Sequence, residues 1–151
     1  MFGSKESRLI RHFTKIFGNI NSELKKIESL IGLKHGFFFK SHVYSRAELL
    51  NCDSMRKIDA YLIELQDKIQ RQIDNNSLSL TVFLKYQELE SNSRSNINAT
   101  IAKIKSRTPT KYEDIYDGIL FFLEGLLSRF SILSSLLGRL NPGKLLPPPK
   151  K

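Results

Sequence analysis

Residues 5–31 read KESRLIRHFTKIFGNINSELKKIESLI. Ile10, Phe13, Phe17, Ile20, Leu24, Ile27 and Ile31 recur at alternating steps of three and four, which places them on one face of an α-helix. Leu9, Ile16 and Leu30 widen that face along one flank. A strict two-residue seam would suit a two-stranded coiled coil, whereas the wider stripe predicts a helix packed on more than one neighbour. Gly32 follows the last apolar position and is placed to end the helix.

Three further runs repeat the pattern. After a connector holding two glycines and the triplet Phe37-Phe38-Phe39, Ser45-Arg46-Ala47-Glu48 reads as a capping box that opens a second helix. Its seam is Met55, Ile58, Leu62, Leu65, Ile69 and Ile73, and Asn51-Cys52-Asp53-Ser54 is a polar step that leaves one helix or two open. Asp74-Asn75-Asn76-Ser77 is a turn by composition. A third run carries Val82, Tyr86, Leu89, Ile97, Ile101 and Ile104, with a waist of weak helix formers at 91–98 that reads as solvated or as an interruption. Thr110-Lys111-Tyr112-Glu113 is a second capping box, and the fourth run ends at Asn141-Pro142-Gly143.

The expected helices are 5–31, 46–74, 79–106 and 111–140, with no alternating strand pattern anywhere. Each would be roughly 40 Å long. Equal lengths with short turns predict an all-α, up-down-up-down antiparallel four-helix bundle, with the aromatic connector between the first two helices. One domain would cover 1–143, and 144–151 would be a Pro/Lys tail. The Asp74–Ser77 turn should set the second and third helices side by side. The core should combine Phe13, Phe17, Ile20, Leu24 and Ile27 with Leu62, Leu65 and Ile69, and with Leu123, Leu126, Phe130 and Leu133.

The 151 residues carry 24 Lys and Arg against 15 Asp and Glu, a net charge of +9, with a single cysteine. One cysteine allows no internal disulfide and fits a reducing, cytoplasmic setting. The N-terminal residues show no apolar leader pattern. Residues 118–138 are apolar enough to be tested as a membrane span, but Glu124 and Arg129 within them favour the soluble reading.

Signatures of catalysis are missing. There is no glycine-rich phosphate loop, no Glu-x-x-His pair of the di-iron kind and no nucleophile elbow. His35, His42 and Cys52 match no standard zinc spacing. The expectation is therefore a non-enzymatic chain without cofactor, metal or evident small-molecule substrate.

The fourth run is apolar around most of its circumference, with a narrow polar stripe at Asp117, Glu124, Ser128, Ser131, Ser135 and Gly138 that Phe121 interrupts. A helix with that much apolar surface suits a scaffold, adaptor or assembly subunit that meets a protein partner or another copy of itself. The candidate interface is Ile119, Phe122, Leu126, Ser128, Ser131, Leu133, Ser135 and Gly138, the small residues letting a partner helix approach.

A second reading rests on charge. Residues 1–40 carry +5 and 77–108 carry +3. Lys25, Lys26, Lys34 and Lys40 lie with or near Phe37, Phe38 and Phe39, an arrangement suited to salt-sensitive, non-specific nucleic-acid binding or to peripheral attachment on anionic membranes. Lysines that solubilise an apolar bundle, and phenylalanines that cap its core, would give the same pattern.

Overall fold

A computed structural model describes residues 5–30, 53–75, 78–106 and 113–138. They form four helices: α1 (Lys5–Leu30), α2 (Asp53–Asp74), α3 (Leu80–Lys105) and α4 (Glu113–Gly138). No strand occurs among the described residues. The protein is an all-α four-helix bundle. The Phe37–Phe39 connector, both capping boxes, the start expected at Arg46 and the Pro/Lys tail lie outside the described residues.

All twelve expected core side chains are buried, because each lies on the face its 3,4 spacing assigned to it. Ile16, Ile58, Leu78, Val82, Tyr86, Ile97, Ile101, Ile104, Ile119 and Leu137 lie in the interior with them. Phe13 and Phe17 meet the Tyr86 ring edge-on at centroid distances of 5.5 Å, and Phe17 reaches Phe130 at 5.9 Å. Aromatic rings from α1, α3 and α4 thus meet at one level of the core.

The polar waist of α3 is neither an interruption nor wholly solvated. The helix runs through it, and Ser93 is buried against α1, where its Oγ donates to Asn21 Oδ1 at 3.0 Å. Two turns on, the buried Thr100 donates to Glu28 Oε2 at 2.7 Å, and Lys103 reaches the same oxygen at 3.2 Å. The Ser79 side chain accepts from the Val82 N–H at 3.1 Å and caps the start of α3.

Chain direction alternates, as the sequence implied: α1 and α3 run in register from Phe13–Tyr86 through Asn21–Ser93 to Glu28–Thr100, so they are parallel. Glu90–Ser134 and Arg94–Ser131 run oppositely, so α3 and α4 are antiparallel.

The neighbour order differs from expectation. The closest backbone approaches are α1 with α3, α1 with α2, and α3 with α4; the consecutive pair α2 and α3 is not among them. Five residues, Asn75 to Ser79, separate these helices in sequence. Leu78 and Ser79, just before α3, are buried. The small Ser93 gives α1 the close approach to α3 that a short turn was expected to give α2.

Candidate interaction surface

α4 divides into an inner face, two flanks and an outer face. Ile119, Leu123, Leu126, Phe130, Leu133 and Leu137 form the inner face and are buried in the chain's own core. One flank meets α3. There the buried Glu90 carboxylate accepts from Arg94 at 2.9 and 3.2 Å and from Ser134 Oγ at 2.7 and 2.8 Å. Arg94 also donates to Ser131 Oγ at 3.2 Å and lies 5.8 Å from the centroid of the Phe130 ring. The other flank meets α2, where Arg129 donates to Asp59. Arg129 thus takes a partner on another helix.

The outer face carries Asp117, Phe121, Glu124, Ser128, Ile132 and Ser135, all exposed. Phe121 is 79% exposed and Ile132 66%. A Cβ built on Gly118 or Gly125 would meet nothing within 4 Å, so the space beside both is open. Elsewhere on the bundle, Ile63 on α2 and Leu84 on α3 are also exposed, at 56% and 55%. A shallow cleft lined by Leu62 and Gln66 of α2 and by Arg129, Ile132 and Leu133 of α4 joins the two helices. Tyr116–Leu137 is the one described segment long and apolar enough to cross a membrane, and 28% of its most apolar window is buried.

Set against the residues expected at a partner interface, this corrects the choice of face. Ile119, Leu126 and Leu133 are interior residues, and Phe122 is half-buried against the core. Ser131 is exposed but bonded to Arg94, so it belongs to the α3 flank. Ser128 and Ser135 do lie on the outer face. Gly138 ends α4, and its exposure is outside the described residues. The sequence pattern had a place for Phe121, as the apolar member of the polar stripe. Ile132 and Ile63 gave no such signal, because an apolar residue on a helix reads as core until its neighbours are known.

Of the expected basic and aromatic surface, Lys25 is exposed, and Lys26 is exposed but paired with Glu23 at 3.0 Å. Lys34, Phe37, Phe38, Phe39 and Lys40 lie outside the described residues. Comparison with family models, with characterised proteins and with solved structures finds no match to the chain.

Proposed function

We propose that this chain is a non-enzymatic assembly subunit whose fourth helix docks, by its outer face, against a second copy of the same chain. The observation that carries the reading is the pair of uncovered apolar side chains, Phe121 and Ile132, on one open helix face. Two-fold contacts require a self-complementary surface. An antiparallel α4 pair centred between Leu126 and Leu127 has that property. Phe121 then opposes Ile132 of the second copy, Glu124 opposes Arg129, and Gly125 opposes Ser128. Each contact occurs twice, and the two small residues at the centre allow the helix axes to approach. A different protein offering an apolar strip is the competing occupant.

Light scattering over a concentration series tests the reading, with Phe121→Ser/Ile132→Ser as the paired variant. The wild-type mass should rise above the 17.4 kDa monomer. The variant should stay monomeric with unchanged helicity, since neither side chain contributes to the core. A wild-type chain that stays monomeric at every concentration, or a dimer untouched by the double substitution, would overturn self-association through this face.

A further inference from the structure

A concavity that no α4 residue lines lies where the start of α1 runs beside the end of α2. Its volume is about 670 Å³, within the ~300–1,000 Å³ of small-molecule sites. Lys5, Arg8 and His12, each about a turn apart on α1, line one wall, and Lys68 and Arg71, one turn apart on α2, line the other. Glu6 is the only acidic residue in the lining.

Several other cations of the bundle are already neutralised. Lys26, Arg56, Lys57, Lys85, Arg94, Lys103 and Arg129 all sit within ion-pair distance of a carboxylate. Among the described residues, the side chains of Lys5, Arg8, Lys68 and Arg71, like those of Lys25 and Lys105 elsewhere, take part in no ion pair or hydrogen bond, and Glu6 does not neutralise the four that share the groove. Four like charges facing one another across a groove repel, and an anion between them removes that repulsion. The N-terminal end of α1 adds its own positive potential to the same mouth.

We propose that this groove binds a small ligand bearing clustered phosphates, held between the α1 and α2 walls. Two guanidinium groups supply paired N–H donors that match phosphate oxygens, and the two lysines supply point charges. Two walls favour a ligand with at least two phosphates, one for each helix, over a single inorganic anion. The apolar Leu9 and Val82 also line the groove. The site is independent of α4 and of any self-association there.

Isothermal titration of the full chain with inorganic triphosphate tests the proposal. The expected result is one triphosphate per chain, with affinity falling as sodium chloride is raised. Arg8→Gln and Lys68→Gln, one from each wall, should each weaken binding by about tenfold, as loss of a charge-assisted hydrogen bond implies. The control Lys25→Gln/Lys105→Gln removes two unpaired cations outside the groove and should leave affinity within about twofold. Melting curves should show the fold intact in each variant, since Arg8, Lys25 and Lys105 are exposed and Lys68 is half-buried. Vesicles of phosphatidylcholine carrying a phosphatidylinositol bisphosphate form a second arm. Tighter, variant-sensitive binding there assigns the phosphates to a lipid headgroup, and its absence assigns them to a soluble ligand. No measurable binding, several triphosphates per chain, or equal weakening in the control would each overturn the proposal, the last two by reducing it to the attraction of a +9 chain for any anion.

Discussion

Tyr86 concentrates several forces on one side chain. Its ring is fully buried between Phe13 and Phe17, yet its hydroxyl finds no hydrogen-bond partner among the described residues. Leaving a buried donor unpaired costs about 1–3 kcal/mol. Tyr86→Phe should therefore be neutral or stabilising by up to that amount, measured by urea denaturation at neutral pH. Burial, with the Glu90 charge adding to it and Arg94 opposing, pushes the phenol above its ordinary value of 10.0. The folded chain thus keeps the neutral phenol while the unfolded chain ionises, so stability is complete below that pH and falls as pH rises past it. Tyr86→Phe should move alkaline unfolding to higher pH. Phe130, fully buried where α1 and α4 meet, is the opposite case. Phe130→Ala should cost about 3–5 kcal/mol, because the cavity adds to the lost transfer energy. A cost below about 0.5 kcal/mol would return this face of α4 to the surface.

At the scale of elements, the α1–α3 contact sets the architecture, and polar residues hold much of it in register. Asn21–Ser93 and Glu28–Thr100 are spaced seven residues apart on both helices, so a slip of either helix by one turn would strand buried oxygens. Ser93 has a second role in its size. Ser93→Ala should cost only one hydrogen bond, about 0.5–1.5 kcal/mol. Ser93→Val should cost about 1–3 kcal/mol more, by forcing two closely approaching helices apart. Equal costs for the two, in thermal or chemical denaturation, would show that the seam is not tight. The α3–α4 contact uses Glu90, a buried carboxylate neutralised within α3 by Arg94, and hydrogen bonds from Ser134 to Glu90 and from Arg94 to Ser131 tie the two helices alongside apolar packing.

For the whole molecule, charge is unevenly shared. Residues 113–138 hold four acids and one base, while 5–30 hold six bases and three acids, within a chain of net charge +9. One side of the bundle is acidic and apolar, and the other is basic. Uncompensated positive charge disfavours the compact state through self-repulsion, and salt screens exposed charges more than half-buried pairs. The melting temperature should therefore rise between low salt and about 0.15 M sodium chloride, where the Debye length falls to roughly 8 Å. A steady fall would mean that ion pairs such as Arg129–Asp59 and Arg94–Glu90 outweigh the repulsion.

Helix existence, the four-helix count and the buried members of each seam follow from periodicity, because apolar residues at steps of three and four must share a face whatever that face meets. Phe13 through Ile27 were legible for this reason, as were Leu62, Leu65 and Ile69. Periodicity carries no information about which helix a seam meets. The pairing of α1 with α3 brings the small, buried Ser93 against Asn21, a contact read only once the helices are placed. The surfaces on which the two proposals rest were lost to sequence for the same reason. Ile132 looks like Leu133 until one is seen to face water, and Arg8 and Lys68 lie sixty residues apart until α1 and α2 run past each other. A single helix determines its own faces, and only the packed molecule decides which of them stay uncovered.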